Sequence, residues 1–581
     1  MGVPGLFSYI IRNFPKSFVE FSQGEFSKNV DHLYIDANAI LHKFCQLVFN
    51  YGENKKFLNI PYQDFSYEEK RKKVFQLFFN FIIELCKMVI PSKSLYISID
   101  GPAPLAKQSQ QRQRRFVSAL SRSKESEFDS NVLTPGSIFM FELTKYINYR
   151  IRLEMQRNDL LRKIKIYFDP QNRPGEGEHK ILDFIRKNVN EHRNFSKESH
   201  CIYGPDGDLI MLTLATYLDN IYLFRENMRF ENSYHFIDMS FIRKNLYRKM
   251  FSGVFDPRNC NDKFLNSVTN DFILIGFFVG NDFLPKLEMF YTLEDGLNTM
   301  IKIYDDLSHG GKYNSLTHST NNDINLKSFS KFVDKISSYE AEYIEKQHYI
   351  EIPDEKFFNK TVAKNIIRDI ETGENYLNFE NFRIDYYKKS GIETEEKIRE
   401  MCSDYFTTLR WIYYYYTIGL PSWDWYYKWN YPPLIVDLSR YLKEVLKKDK
   451  LESFLIGTPL EPFEQLLSVL PSSSSQILPK FLQKLMIDEN SVLVKNNFYP
   501  KSFEVDYEGK TKEHMAIVKL SFVKKDLIRS EFQKIKSRLR YKYTRNELGK
   551  VGLFYFDLNY KAKYISDYGI LNGINIRHIY I

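Results

Sequence analysis

The sequence predicts an α/β fold: a mostly parallel sheet flanked by helices, with a second, mostly helical block packed on it. Three observations lead to this prediction. Short β-rich apolar runs, such as HLYID, LYISID and KIKIYFD, each end abruptly at an acid. Helix-like stretches follow them, and this alternation is typical of buried parallel strands. The chain has 581 residues, which is too long for one ordinary domain, so we expect two or three units with substantial cores.

The acids that end these runs define one edge of the predicted sheet. They are Asp36, Asp100, Asp169, the pair Asp206 and Asp208, and Glu226. Ligands bind beyond the carboxyl ends of the strands in such sheets, so acids that are far apart in the sequence should gather there. Helix-like segments at residues 67–90 and 177–189 supply two of the flanking helices.

A loose Asn- and Ser-rich stretch divides the chain. It reads LSHGGKYNSLTHSTNNDIN and covers residues 307–325, which we interpret as a linker. The predicted organisation is therefore an N-terminal core at 1–306, this linker, and a second block at 326–557. Residues 558–581 form a C-terminal tail to which the sequence assigns no role.

Composition narrows the class of protein. The net charge of +9 leans basic and suits a partner that carries phosphate. The cysteines are odd in number, far apart and without a C-x-x-C pair, so we expect reduced thiols and no zinc site. No signal peptide and no membrane-spanning apolar run stand out. We therefore expect an intracellular protein that does not act in a membrane.

The segment RPGEGEHKI places Glu176 and Glu178 two residues apart, each directly after a glycine. Taken alone, such a pair is well explained as a helix start, because acids favour helix N-termini. Asp206 and Asp208 repeat the spacing at the end of a strand. Asp282 interrupts the apolar run FILIGFFVGNDFLP, where a buried acid needs a partner. These additional acids favour a shared site over simple capping.

The candidate site contains seven carboxylates: Asp36, Asp100, Glu176, Glu178, Asp206, Asp208 and Asp282. Like charges raise one another's pKa, so such a group is not expected to crowd together unaided. Hard divalent cations with oxygen ligands resolve the conflict, and magnesium or manganese is the natural choice. In a two-metal site, ions about 3.5–4 Å apart clamp the attacking and leaving oxygens of phosphoryl transfer. The acids therefore predict two Mg²⁺ ions, with Mn²⁺ as a substitute.

A basic face is predicted on the helix that follows Asp100. Its members, spaced i, i+4, i+7 and i+8, are Lys107, Gln111, Arg114 and Arg115. The spacing leaves two interpretations open, a solvated basic surface and an anion-binding surface. His42 lies about a turn and a half of helix past Asp36. On its own, a histidine there is more often a packed core residue than a functional one.

Longer segments resemble the XRN family of 5′–3′ exoribonucleases. They are MGVPGLFSYI, LYIDANAILH, IDGPAPLAKQSQQRQRR, FDSNVLTPGSIFM, PGEGEHKI, YGPDGDLIMLTLAT, GNDFLP, PSWDWYYKWNYPP, EQLLSVLP, FYPKSFEVDYEGK and RNELGKVGLFYFD. They occur in the family's order and extend to about Asp557. One departure lies in YGPDGDL, where Pro205 and Gly207 replace other small or apolar residues. We expect a local backbone change there and no loss of ligands.

The resemblance implies a core similar to PIN and flap nucleases at 1–306, carrying the metal site and a 5′-phosphate pocket. The second block would complete the substrate channel. All seven acids match the family's metal-binding acids and would be the catalytic residues. The implied activity is processive, metal-dependent 5′–3′ degradation of 5′-monophosphorylated single-stranded RNA to nucleoside monophosphates, as in mRNA decay.

The resemblance also implies roles for residues outside the acids. The four residues of the basic face would hold the 5′-monophosphate, since arginine grips phosphate oxygens bidentately and lysine acts as a point charge. A compact pocket would reject a cap or a triphosphate by size. His42 would stack on the first bases, and Trp423 or Trp425 would end that stack; the sequence does not choose between these two tryptophans. Stacking tolerates any base, which suits an enzyme that reads no sequence.

Two alternatives belong to other functional classes. A structure-specific flap-type DNA nuclease would carry a glycine-rich helix-hairpin-helix after the last acid, and FLPKLEMFYTLEDG contains none. A catalytically silent RNA-binding scaffold would be expected to have lost metal ligands, and all seven acids are present. We expect a compact, monomeric member of the family, of viral origin or from an AT-rich genome. We expect it in the cytoplasm rather than the nucleus, because no basic nuclear-localisation cluster stands out.

Overall fold

The computed structural model describes residues 5–22, 28–52, 62, 64–121, 128–227, 233–252, 260–308, 314–318, 323–352, 354–448, 451–536 and 543–581. Within these residues, no helix combines the length and the apolar character needed to cross a membrane.

In the described part of the chain, a nine-stranded sheet forms the centre and three two-stranded sheets accompany it. In chain order the strands are β1 (Phe18–Ser22), β2 (Lys28–Asp36), β3 (Val89–Ser98), β4 (Lys165–Asp169), β5 (His200–Tyr203), β6 (Ile221–Glu226), β7 (Ser233–Asp238), β8 (Ile366–Arg368), β9 (Asn375–Leu377), β10 (Glu504–Asp506), β11 (Ile517–Lys519), β12 (Gly552–Phe556), β13 (Ala562–Ser566), β14 (Gly569–Ile574) and β15 (Ile576–Tyr580). The large sheet has the order β1-β7-β6-β5-β2-β3-β4-β12-β15, and the small sheets are β8-β9, β10-β11 and β13-β14.

The centre of the large sheet is parallel. Strands β4, β3, β2, β5 and β6 pair in parallel, and they are the five strands predicted from the acid-terminated runs. Asp36 lies opposite Ser98, and Ser98 lies opposite Asp169, so these strands finish together at one edge. The antiparallel strands β1, β7, β12 and β15 complete the sheet on either side and were not predicted. The predicted α/β class with a mostly parallel sheet is confirmed.

Helices cover the sheet and build most of the second block. They are α1 (Leu6–Asn13), α2 (Asn38–Val48), α3 (Tyr67–Met88), α4 (Leu105–Ser121), α5 (Ile138–Arg157), α6 (Asp159–Arg162), α7 (Gly177–Glu191), α8 (Leu209–Leu214), α9 (Met239–Asn245), α10 (Tyr247–Met250), α11 (Asp262–Gly276), α12 (Leu293–Ser308), α13 (Leu326–Ser337), α14 (Glu340–Lys346), α15 (Lys360–Lys364), α16 (Phe379–Lys389), α17 (Glu395–Thr417), α18 (Ile435–Lys448), α19 (Pro462–Val469), α20 (Lys480–Ile487), α21 (Val492–Lys495) and α22 (Lys525–Lys536).

Local sequence explains the two flanking helices predicted at residues 67–90 and 177–189. Helix α3 begins at a capping box, in which the backbone N–H of Glu69 donates to Ser66 Oγ and the backbone N–H of Ser66 donates to the Glu69 carboxylate. Helix α7 carries Glu178 in its first turn, where an acid suits the helix dipole. Both predicted segments are confirmed as helices, with α3 ending at Met88 and α7 continuing to Glu191.

The sheet separates two apolar cores because successive side chains of a strand point to opposite faces. On β2, Leu33 and Ile35 face the core that contains α3 and α5. Tyr34, between them, faces the core that contains α7 and extends to Trp411 on α17. The second block therefore shares a continuous hydrophobic core with the sheet.

Contacts also cross the predicted domain boundaries. In the described part of the predicted linker, the Thr317 hydroxyl and the Leu316 backbone N–H both donate to the buried carboxylate of Asp271. Residues 309–313 and 319–322 of that linker lie outside the described residues. At the C-terminus, β15 pairs with β12, which pairs with β4, so part of the predicted tail extends the large sheet. The division into domains remains a prediction.

Candidate active site

Three acids converge at the carboxyl edge of the parallel strands. Asp36 ends β2, Asp100 follows β3, and Glu178 lies in the first turn of α7. One carboxylate oxygen of each lies within 4.8 Å of the other two. Among the described residues, this is the one group of three or more acidic, histidine or cysteine side chains that meets at that distance. It is compatible with a divalent metal ion.

The other four predicted acids surround this group without joining it. Glu176 and Asp208 directly precede α7 and α8, so helix N-termini position both carboxylates. Asp206 lies in the loop after β5, and Asp282 follows α11. Electrostatic interactions link Asp36 to both aspartates of the 206–208 loop, and Asp282 to Glu176. All seven acids therefore belong to one electrostatic cluster, although their ligand atoms do not all meet at one point.

The pKa values of several of these acids are raised. Burial, followed by the charge of Asp100, raises the pKa of Asp36 well above its usual range. Burial also raises the pKa of Glu176 to about 7 and that of Asp208 to about 6. Burial and the charge of Glu176 raise the pKa of Glu178. For these four acids, burial and the charges of neighbouring acids therefore outweigh whatever compensation the protein supplies.

Unsatisfied oxygens point to the same conclusion. Asp36 Oδ1 and Asp208 Oδ1 are buried and have no hydrogen-bond partner among the described residues. A buried carboxylate oxygen without a partner is costly, and a hard cation with oxygen ligands would satisfy it. The donor set, carboxylates without histidine or cysteine, fits magnesium or manganese.

Glycine is required where α7 meets the ends of the strands. The backbone N–H of Gly177 donates to Asp100 Oδ1 at 2.6 Å. A Cβ atom on Gly177 would lie only 2.6 Å from Asp36 Oδ1. Gly175 has a φ of 116°, in the region that favours glycine. The glycines of RPGEGEHKI thus let two strand-end acids approach the start of the helix that carries both glutamates.

Lys107 lies among the acids rather than apart from them. Its Nζ is 2.5 Å from Glu176 Oε2 and 2.9 Å from Asp282 Oδ2. Burial opposes the charged ammonium, but the charges of Asp282 and then Glu176 outweigh it and raise the pKa of Lys107. Burial likewise opposes ionisation of Asp282, and nearby positive charge, with Lys107 first, lowers its pKa. Lys107 therefore connects the acid cluster to the basic face of α4.

The rest of the basic face varies in exposure. Arg114 is exposed, whereas Gln111 and Arg115 are half-buried. Gln111 Oε1 lies 3.5 Å from Nε2 of Gln465 on α19. Burial and the charge of Arg114 lower the pKa of Arg115 to about 10, which leaves it cationic at pH 7. Its buried Nη1 has no hydrogen-bond partner among the described residues.

His42 lies beside this face, on α2. Desolvation by the surrounding protein, then the charges of Arg114 and Arg115, lower the pKa of His42 to about 4. Its side chain nevertheless remains accessible to solvent. An exposed, neutral imidazole next to two guanidinium groups is available for contact with a ligand.

The two candidate tryptophans differ in their surroundings. The Trp425 indole donates to Thr408 Oγ1 at 3.0 Å and packs edge-on against Phe454. Trp423 instead bonds through its backbone: its carbonyl accepts from the N–H of Leu105, the first residue of α4. Among the described residues, the Trp423 ring makes no side-chain hydrogen bond and no ring contact. This arrangement favours Trp423 as the half-buried ring that remains available beside the basic face.

Two neighbours of the acids were missed by the sequence analysis. Asn38 Nδ2 donates to Asp100 Oδ2 at 2.5 Å, and the Asp100 backbone N–H donates back to Asn38 Oδ1 at 3.2 Å. Tyr415 donates its hydroxyl to Glu176 Oε1 at 3.0 Å and stacks on His179, with ring centroids 3.5 Å apart. Asn38 could have been noticed in the DAN tripeptide. Nothing in the run YYYY distinguishes Tyr415 from its neighbours.

Two strand-end acids have structural partners instead. Asp169 is fully buried and accepts from the Tyr96 hydroxyl at 2.6 Å, with Lys180 Nζ 3.1 Å away. Lys180 also donates to the carbonyls of Ile99 and Pro170. It therefore ties two strand ends together. Glu226 pairs in the same way with a lysine of α2.

Comparison with known proteins places the chain among nucleases. Residues 1–227 match the family model described as the XRN 5′–3′ exonuclease N-terminus. Residues 263–381 and 374–569 match the model described as the Xrn1 helical domain.

The curated relatives are similar over most of this chain. A human protein named 5′–3′ exoribonuclease 1 is 28% identical, over 90% of this chain and 33% of its own length. The protein of that name from Saccharomyces cerevisiae is 27% identical, over 100% of this chain and 46% of its own. The 5′–3′ exoribonuclease 2 of Arabidopsis thaliana is 27% identical, over 94% and 68%. The chain thus spans between a third and about half of the length of the two exoribonuclease 1 proteins.

Among solved structures, the catalytic core of Rad2 in complex with DNA substrate aligns with a TM-score of 0.30 and 14% identity. The alignment covers 70% of this chain and 100% of that one.

Proposed function

The chain belongs to the XRN family of 5′–3′ exonucleases, and on that basis we propose that it is a metal-dependent 5′–3′ exoribonuclease. Its proposed substrate is single-stranded RNA with a 5′-monophosphate, which it degrades processively to nucleoside monophosphates. One observation carries the proposal: a buried acid cluster and a basic helix face meet at Lys107, at the carboxyl edge of the sheet.

The acids fit a pair of divalent ions. Asp36, Asp100 and Glu178 would hold one ion, since their oxygens already lie within 4.8 Å of one another. The remaining four acids of the cluster would hold the second. Bound Mg²⁺, or Mn²⁺ in its place, would supply an activated water and stabilise the leaving oxygen of phosphodiester hydrolysis.

The protein's own groups would orient these acids before any substrate arrives. Asn38 and the Gly177 backbone N–H each bond one oxygen of Asp100, so that carboxylate cannot rotate freely. Tyr415 fixes Glu176 in a comparable way. Such preorganisation matters because displacements of about 1 Å at a reacting centre can cost 10²-fold in rate.

The basic face would select the RNA end. Arg115 is half-buried, and its Nη1 has no hydrogen-bond partner within the described part of the chain, so it is suited to bind a phosphate oxygen; the exposed Arg114 adds a second guanidinium beside it. Lys107 lies on the same face of α4 and contacts two of the acids, so a phosphate held on this face would lie next to the acid cluster. The first phosphodiester bond of the RNA would then be the bond placed at the acids for cleavage. This geometry supports removal of nucleotides from the 5′ end rather than internal cutting.

Stacking would hold the bases without reading them. His42 lies next to the guanidinium groups of α4, and the Trp423 carbonyl binds the N-terminus of the same helix. Aromatic stacking contributes about 1–3 kcal/mol per base whatever the base, which suits repeated cycles on one strand.

The test is digestion of one 3′-labelled RNA presented with a 5′-monophosphate, triphosphate, hydroxyl or cap. We expect rapid, Mg²⁺-dependent loss of the monophosphate RNA alone, and no loss with Asp208→Ala. Glu226→Gln is the matched control, because it removes an acid at the same sheet edge but outside the cluster; it should cleave like the wild type. A DNA strand of the same sequence tests the flap-nuclease alternative.

Each outcome of that digestion decides a part of the proposal. Equal cutting of all four RNAs would contradict end selection while keeping the nuclease. Preferential cutting of the DNA would favour the flap-type enzyme. Tight binding of the monophosphate RNA without cleavage by the wild type would favour a scaffold.

A further inference from the structure

The oxygens of the acid cluster fall into two groups. Both oxygens of Glu176 are occupied, Oε1 by the Tyr415 hydroxyl and Oε2 by Lys107 Nζ. Both oxygens of Asp282 are also occupied, Oδ1 by Gln110 at 3.1 Å and Oδ2 by Lys107 at 2.9 Å. In contrast, Asp36 has a buried oxygen with no partner among the described residues. Side chains of α4, together with Tyr415 of α17, therefore already occupy the Glu176 and Asp282 part of the cluster.

Lys107 is well suited to fill that part. Its side chain is 13% exposed, and those of Glu176 and Asp282 are 3% and 7% exposed. An ammonium group in contact with two carboxylates, shielded from water, interacts with them more strongly than a surface ion pair would. It supplies a positive charge where the cluster would otherwise be uncompensated.

The same contact conflicts with a divalent ion on these two acids. An ion within coordination distance of Glu176 Oε2 and Asp282 Oδ2 would lie close to Lys107 Nζ, and like charges at such distances repel strongly. Lys107 would have to leave both carboxylates. Its place on α4, on one face with Gln111, Arg114 and Arg115, lets it turn toward an anion held by that face.

We propose that Lys107 couples metal binding to 5′-phosphate binding: it is the resident cation of Glu176 and Asp282, and it moves to the 5′-phosphate when a divalent ion takes those carboxylates. The inference rests on the proposed function, because it needs the acids to bind metal and α4 to bind phosphate. Coupling of this kind is reciprocal, so the metal tightens phosphate binding by the same factor as phosphate tightens metal binding. The end-binding pocket is then complete only in the metal-loaded protein.

The first experiment measures Mn²⁺ affinity by isothermal titration calorimetry, without RNA. Lys107→Met removes the resident cation, and we expect its Mn²⁺ affinity at this position to be about tenfold tighter than that of the wild type, within the usual 5–150-fold range of coupling between sites. Lys43→Met is the control, since it also removes a lysine paired with a strand-end acid, Glu226, which lies outside the cluster; its affinity should change by less than about threefold. Equal affinities in the wild type and Lys107→Met would overturn the inference.

The second experiment measures the coupling itself. Uridine 3′,5′-bisphosphate is the probe, because it carries a 5′-phosphate but no phosphodiester bond to cleave. We expect Mn²⁺ to tighten its binding to the wild type about tenfold and to leave its binding to Lys107→Met nearly unchanged. If Mn²⁺ tightened binding equally in both proteins, direct contact between metal and phosphate would explain the effect, and Lys107 would not be the coupling residue.

A third measurement needs no variant, in case neither Lys107→Met nor the neutral Lys107→Gln folds. A crystal structure of the wild type with Mn²⁺ and uridine 3′,5′-bisphosphate should place Lys107 Nζ on the 5′-phosphate and away from both carboxylates. Nζ retained on Glu176 and Asp282 would overturn the inference. Absence of Mn²⁺ from all the acids would overturn the proposed function as well, whereas bound Mn²⁺ with an unmoved Lys107 would overturn the coupling alone.

Discussion

Replacing Gly177 by alanine tests whether the close approach of strand-end acids to α7 is needed for cleavage. The added Cβ would lie 2.6 Å from Asp36 Oδ1 and 3.2 Å from Asp100 Oδ1, where ordinary contact begins at 3.4 Å. The Asp36 carboxylate would have to retreat by about 0.8 Å, several times the ±0.2 Å to which metal–ligand distances are normally held. Displacements of this size at a reacting centre cost about 10²-fold in rate, or about 2.7 kcal/mol of transition-state stabilisation.

The free energy of unfolding, unlike the cleavage rate, should stay nearly unchanged. Alanine is the better helix former, and Gly177 is the first residue of α7, so this preference offsets part of the cost of the close contact. We therefore expect Gly177→Ala to fold, to bind 5′-phosphorylated RNA through α4, and to cleave it about 10²-fold more slowly. Single-turnover cleavage, RNA binding and urea denaturation would be measured on the same preparation.

A matched substitution separates this effect from alanine substitution in general. Gly276 is the last residue of α11, and the nearest atom to an added Cβ there is the terminal methyl of Met211, which can move aside. Gly276→Ala should cleave like the wild type. Wild-type cleavage by Gly177→Ala would refute the reasoning, because the cluster would then tolerate a shift that the geometry forbids. Loss of folding in Gly177→Ala would show that the contact serves stability instead.

Three further predictions concern other residues. Trp423→Ala should weaken binding of phosphorylated RNA by about 1–3 kcal/mol with little change in melting temperature, whereas Trp425→Ala should lower the free energy of unfolding by about 3 kcal/mol; the reverse pattern would exchange their roles. Tyr415→Phe removes a hydrogen bond to a buried site carboxylate, worth about 1.5–3 kcal/mol for a charged acceptor, so single-turnover cleavage should slow at least tenfold while the fold persists; an unchanged rate would rule out this positioning role. Burial opposes ionisation of Asp31, but hydrogen bonds from Ser199 lower its pKa to about 2. The ionised form is therefore favoured in the folded state, and its stabilisation is present above the unfolded pKa and lost as the pH falls toward 2. In urea denaturation at pH 7, Asp31→Asn should have a lower free energy of unfolding than the wild type, and the gap between the two proteins should shrink at pH 3. A gap that stayed the same at both pH values would contradict a lowered pKa of Asp31 in the folded state.

The sequence alone determined the parallel centre of the sheet and the edge at which its acids lie. A strand that is buried on both faces needs apolar side chains at consecutive positions. An apolar run that stops at an acid is therefore a local pattern that can be recognised without the structure. The parallel register then brings Asp36 and Asp100 to the same edge without further information. The glycines beside Glu176 and Glu178 could also be recognised in the sequence, because a position that excludes a side chain must be a glycine. At Gly177 the structure shows such a close approach.

Only the tertiary structure decided which side chains contact these acids. Tyr415 reaches Glu176 across 239 residues of sequence, and Lys107 reaches Asp282 across 175. The antiparallel strands β12 and β15 come from residues 552–580. Strand β12 pairs with β4 and β15 pairs with β12, and no local sequence pattern predicts either pairing. Such contacts depend on how α4, α17 and the sheet pack together. Packing is set by the shapes of many residues at once, whereas a strand end or a glycine turn is set by a few neighbours in the chain.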